Sequence, residues 1–202
     1  MSAFKVSMIV FSILLLITLL LGRYSEYTND KSIQDNVIKY KNFIKEQRDT
    51  SCMDNQISAI KNTDQRDRKP IDQASILGEI IIPKISVDLV IRENANKENL
   101  DMGAAHILDT PLPWNSGNSF IAAHRHKTYG KLFNRLGEME IGDLVTIITP
   151  NNTFNYMVYK IKLVAPENTE VFKILDGKRN LTLVTCAEKS TRRLLVFCKE
   201  IK

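Results

Sequence analysis

The chain opens on an almost unbroken apolar run over residues 6–21, with Phe4 and Gly22 at its margins. No charge interrupts it, and crossing a hydrocarbon layer as a helix takes about 20 such residues, with about 17 as the lower limit. The run lacks the polar face that a soluble surface helix would carry. Ser7, Ser12 and Thr18 are compatible with a spanning helix, because their hydroxyls can bond back to its carbonyls. A cleavable signal peptide is the rival reading, yet the run ends Leu-Leu-Leu-Gly-Arg-Tyr and lacks a small-x-small cleavage site. The pattern predicts an uncleaved, single-pass signal anchor over 1–22. Charge does not fix its orientation, since Lys5 and the amino terminus stand on one side and Arg23 and Lys31 on the other.

Residues 23–75 are rich in Asn, Asp, Lys, Gln and Arg. Within them Ile33, Val37, Tyr40 and Ile44 recur at helical spacing, which predicts one amphipathic helix over 31–48. From 50 to 73 the pattern fades into a solvated linker. From Ser75 onward the texture becomes that of strands. Short apolar runs fall at 76–82 and 85–91, separated by Pro83 and Lys84, and again at 120–123. Others follow at 144–149 (after the Gly142-Asp143 turn signal), 154–164, 181–186 and 194–201. Seven or so strands with only brief helical pieces predict a closed or nearly closed, mainly β barrel of about eight strands over 76–202. The organisation read from the pattern is therefore anchor 1–22, polar linker 23–75 and β-barrel 76–202.

The length of 202 residues suits one domain plus appendages. A net charge of +5, without any Lys/Arg stripe, argues against a nucleic-acid partner. The three cysteines, Cys52, Cys186 and Cys198, are too few and too far apart for a disulfide framework. No Cys/His spacing suggests a metal site. A thiol outside the cell must be buried or used, so each Cys poses its own question.

Cys186 ends the run LTLVTC, where strand alternation puts it on a face with Thr182 and Val184. A thiol at a strand end can be reached by substrate while a rigid element holds it. It needs a base, and the chain has three histidines, His106, His124 and His126. His124 ends the strand-like FIAAH; it could face the thiol, or simply satisfy a backbone carbonyl. Arg193 opens the last strand and could hold an oxyanion or a peptide carbonyl, while Arg192 would point the opposite way. Cys198 lies on the face opposite Arg193 and reads as a small core hydrophobe. Cys52 falls in the linker and reads as an incidental thiol.

TLVTC at 182–186, with Arg193 and Leu-Leu-Val soon after, resembles the signature of the sortase family. So do IAAHR at 121–125, KLFNRL at 131–136 and the GD pair at 142–143, which are similar to the segment carrying the sortase histidine. GEIIIPKISVDLVI at 78–91 resembles the first two strands of that barrel, and LDMGAAHILDTPLP at 100–113 another of its stretches. The resemblance covers 76–202 with the motifs in order. It implies a cysteine transpeptidase with Cys186, His124 and Arg193 as catalytic residues. It also implies support from Thr185 near the oxyanion, His106 ordering its loop and His126 lining the cleft. The implied substrate is a surface protein bearing an LPxTG-like signal, cut between Thr and Gly through a thioacyl enzyme. The product passes to an amine acceptor such as a peptidoglycan cross-bridge. The implied place is the cell membrane, with the domain extracytoplasmic. No cofactor is expected: Ala104, Ala105 and Ile107 stand where carboxylates would help calcium activation. The missing lid motif and the absence of a second hydrophobic segment count against the pilus-polymerising class, and the short stretch 167–180 against class B. Class D or a class A-like enzyme is expected. A surface cysteine peptidase or other wall-crosslinking thiol enzyme, and an anchored binding module with a structural Cys186, stand as alternatives.

Overall fold

The computed structural model describes residues 3–54, 76–168, 177–187 and 191–201. The linker expected over 50–73 lies outside these from residue 55 on, as do residues 188–190 between Cys186 and Arg193. One helix, α1 (Ala3–Asp54), runs without a break through the apolar segment and the amphipathic one. It contains a stretch long and apolar enough to cross a membrane, and none of that stretch is buried against the barrel among the described residues. Further along, Ile33, Val37, Tyr40 and Ile44 are all buried, as their i, i+4, i+7, i+11 spacing requires of one helical face. Val37, Tyr40 and Ile44 pack on Val90, Ile76 and Ile148, while Ile33 joins the main core. Cys52 falls in the last turn of this helix as described, and the rest of the expected linker lies beyond the described residues.

Eight strands follow: β1 (Ile76–Ile82), β2 (Val87–Glu93), β3 (Ala104–His106), β4 (Gly117–Ala122), β5 (Leu144–Ile148), β6 (Thr153–Val164), β7 (Arg179–Ala187) and β8 (Arg192–Ile201). They close a barrel in the order β1-β2-β3-β4-β7-β8-β6-β5. The expected strand at 85–91 starts two residues late. Pro83–Ile85 form a 3-10 turn, which suits a proline at its first position, and Ser86 leaves it in the left-handed region with φ 55°.

Two pairs are parallel, β2 with β3 and β4 with β7. Parallel neighbours need a crossover connection. Between β2 and β3 this is a short helix, α2 (Lys97–Met102), absent from the sequence expectation. Gly103 then lets the chain turn back against β2, since a Cβ there would stand 2.9 Å from the Val90 carbonyl oxygen. Between β4 and β7 the crossover is the whole β5–β6 hairpin. Ile80, Ile91, Ile121, Val145, Ile147, Tyr156, Leu183 and Val196 fill the interior. The buried Tyr156 hydroxyl donates to the Pro113 carbonyl and so escapes the cost of an unpaired polar group.

Where α1 crosses β1 and β2 it covers a carboxylate pair. Lys41 Nζ reaches Asp88 Oδ2 at 2.5 Å and Glu79 Oε1 at 3.2 Å. Glu79 is 2% exposed, and burial pushes its carboxyl up to about 7; Asp88 reinforces the rise and Lys41 only partly offsets it. The fold thus favours protonated Glu79. That stabilisation is complete below the ordinary value of 4.5 and is lost as pH rises through about 7. Glu79→Gln should therefore be more stable than the parent at about pH 8, with the advantage shrinking towards about pH 5. Thermal midpoints at the two pH values check this, and a difference that does not change with pH would discard it.

Candidate functional site

Three neighbouring strands end at one rim of the barrel. In the β7–β8 ladder Cys186 stands directly opposite Arg193. Facing residues of an antiparallel pair project from the same side, with Cβ atoms about 4.5–5.5 Å apart. In the parallel β4–β7 ladder Ala122 pairs with Val184, and the Ala123 N–H continues it by donating to the Val184 carbonyl at 3.2 Å. Two residues further on, the chain reaches His124 on one strand line and Cys186 on the other. The sequence-predicted trio is thus brought to one level on adjacent strands, all three half-buried.

Parity decides which face they occupy. Leu181, Leu183, Val196 and Cys198 point into the core. Cys186 and Arg193 alternate with them and lie on the outer face of the wall, where a substrate can reach them. Cys198 is fully buried, and burial pushes its thiol up to about 12, so it stays unionised and inert at neutral pH. Thr185 lies on the inner face, and its hydroxyl donates to the Ala123 carbonyl at 2.9 Å. It pins the strand end before His124 instead of facing the thiol.

The two arginines part ways as alternation requires. Arg192 sits opposite Ala187, and its Nη2 donates to the Leu163 carbonyl at 3.1 Å, turned towards β6. Arg193 Nη1 donates to the Arg192 carbonyl at 3.3 Å.

The histidines also separate. His106 is buried on β3; its Nε2 donates to the Pro111 carbonyl at 3.1 Å and lies 3.0 Å from Thr110 Oγ1. Thr110 in turn donates to the Ile107 carbonyl and accepts from the Phe120 N–H. These bonds fold the loop between β3 and β4. His126 Nδ1 accepts from the Thr128 N–H at 3.0 Å, and the ring lines a cleft of about 530 Å³. Ser25, Glu26, Thr28, Asn29 and Ser32 of α1 form its other wall. The backbone carbonyl of His124 accepts from the Phe133 N–H at 3.1 Å. Its ring does not settle on a backbone carbonyl: Nε2 stands 3.3 Å from Asp101 Oδ1, at the end of α2.

Asp101 is the site residue that the sequence reading passed over. Its helix has six residues and too few apolar positions to register as periodic. The Asn96 cap, whose side chain accepts from the Asn99 N–H, was the available signal. Among the described residues no group of three or more His, Cys, Asp or Glu is placed to hold a metal ion. Chemically, a thiol, an imidazole and a guanidinium stand at neighbouring strand ends of this rim. Those are a nucleophile, a proton carrier and a cation for a developing oxyanion.

Residues 80–201 match the sequence profile of the Sortase domain. The chain is similar to Sortase A of Bacillus anthracis, at 27% identity over 165 residues, which is 81% of this chain and 77% of that protein. It is similar to Sortase D of Bacillus subtilis at 28% over 129 residues, 61% of this chain and 63% of the relative. Among solved structures it resembles a Clostridium perfringens Sortase D5 transpeptidase, with TM-score 0.62 and 25% identity over 86% of this chain and 98% of the other. It also resembles sortase C1 of Streptococcus agalactiae in complex with MTSET, with TM-score 0.61 and 32% identity over 64% and 70%.

Proposed function

The chain belongs to the sortase family, and from that premise we propose that it is a cysteine transpeptidase acting on an LPxTG-like sorting signal. What carries the reading is the common level of Cys186 on β7, Arg193 on β8 and His124 two residues past the end of β4. The Cys186 sulfur attacks the Thr carbonyl carbon, and the carbonyl oxygen takes the negative charge. Arg193 holds that oxygen, a contact that strengthens as the charge develops. When the Thr–Gly bond breaks, the His124 imidazolium gives its proton to the departing amine. A thioacyl enzyme remains. An incoming amine then gives up a proton to His124 and attacks the thioester carbon. Collapse forms the new amide and returns the thiolate.

The proposed clients are surface proteins with such a signal, and the proposed acceptor is an amine of a peptidoglycan cross-bridge. Sulfur, imidazole and guanidinium supply every step, so the reaction is proposed to need no cofactor and no calcium. The apolar part of α1 is proposed as a single membrane pass that leaves the barrel extracytoplasmic. Class D or a class A-like enzyme is the proposed subclass, supported by relatives of both kinds.

The test gives the full chain in detergent micelles a fluorogenic LPxTG-type peptide with and without excess amine. Mass spectrometry should find the Thr-terminated fragment joined to the amine. Free acid alone in excess amine would make the protein a peptidase instead, and an uncut peptide panel would remove the proposed substrate class.

A further inference from the structure

We propose that Asp101 is a positioning residue for His124, fixing which ring nitrogen does the proton chemistry; this rests on the role of His124 proposed above. The contact is between Asp101 Oδ1 and His124 Nε2 at 3.3 Å. A carboxylate can only accept, so Nε2 must carry a hydrogen in either protonation state of the ring. Nδ1 is then the nitrogen left to exchange protons with the Cys186 sulfur and the amine. The carboxylate also holds the ring in one orientation through both half-reactions, as an acid behind a catalytic imidazole does in other acyl transferases.

The platform holding Asp101 is fastened independently of His124. Asn99 Nδ2 donates to the Glu93 and Asn94 carbonyls, both at 2.8 Å, which ties α2 to the end of β2. Gly103 seats the other end against Val90. Lys97 Nζ lies 2.5 Å from the second carboxylate oxygen, Oδ2, leaving Oδ1 directed at His124. The Lys97 hydrogen bond holds the Asp101 carboxyl below its ordinary value, so it is ionised at neutral pH. The connection from β2 to β3 therefore does more than cross over: it carries a carboxylate to the rim where β4, β7 and β8 converge.

The experiment uses the full chain in detergent micelles, labelled with ¹⁵N-histidine, and reads two quantities. The first is kcat and KM for an LPxTG-type peptide with saturating amine. Asp101→Ala should lose about tenfold in kcat, with KM within about twofold, because the contact acts on the reacting ring and not on the peptide. Asp101→Glu should recover part of the loss, and Glu98→Gln, on the same helix, should match the parent. The second is the Nε2–H proton resonance of His124, which hydrogen bonding should shift downfield in the parent and in Asp101→Glu but not in Asp101→Ala. If Asp101→Ala disturbs α2, Asp101→Leu, of similar volume and without an acceptor, takes its place. A kcat within twofold of the parent, a loss confined to KM, or an unchanged resonance would overturn the proposal. The resonance is read without substrate. A parent that shows it but joins no peptide to any amine would therefore sink the transpeptidase reading and leave the Asp101 contact standing.

Discussion

Cys186→Ala is expected to abolish both cleavage and amine transfer, a fall of at least about four orders of magnitude, while the barrel still folds. Loss on that scale follows when the nucleophile of a covalent mechanism is removed, because the surrounding groups act as a unit with it. The substitution deletes one sulfur from a half-buried, outward-facing position, so it opens no core cavity. Cys198→Ala offers the converse comparison. It removes a fully buried sulfur from the interior, costing stability of about 1 kcal/mol, and should leave transfer intact. Cleavage assays on the two variants, with thermal midpoints, separate the roles. Peptide mapping after mild alkylation adds a site-resolved chemical readout, in which Cys186 is modified and Cys198 is spared. Cleavage by Cys186→Ala at the parental rate would remove the nucleophile assignment outright.

The second large effect is expected at β8. Arg193→Ala should lower kcat/KM by about 10²–10³-fold, the cost of deleting one oxyanion donor, whereas Arg192→Ala should change it by less than about threefold. The contrast follows from register: Arg193 is paired with Cys186, while Arg192 is paired with Ala187 and bonds to Leu163 on β6. Arg193→Lys should recover only part of the rate, because an ammonium supplies a point charge without the planar fork of donors. The opposite ranking of the two alanine variants would transfer the role to Arg192.

Much of this was legible in the sequence because it depends on local periodicity. The helical spacing of Ile33, Val37, Tyr40 and Ile44 named the docked face of α1, and strand alternation separated Cys198 from Arg193. What could not be read depends on contacts remote in sequence. The barrel order places β7 between β4 and β8, and no local pattern encodes a parallel pairing across some 60 residues of intervening hairpin. The same limit hid Asp101. Its partner His124 lies across the barrel rim, and a six-residue helix yields too few positions for a period to emerge. Thr185 shows the limit of motif reading in another way. Alternation sets it on the face opposite Cys186, while its hydroxyl bond to the Ala123 carbonyl, 62 positions away, has no local signal.

The unbroken course of α1 has a geometric consequence. From the apolar segment to Ile44 the chain is one rigid shaft, gripped by the barrel at Ile33, Val37, Tyr40 and Ile44 and, through Asp30, by Lys131. A flexible tether would absorb an added residue; a shaft cannot. Each residue inserted between Gly22 and Asp30 would rotate the barrel by about 100° about the helix axis and advance it by about 1.5 Å relative to the apolar segment. The number of residues in that short interval thus acts as an index, setting the compass bearing at which the rim carrying Cys186 faces as well as its height.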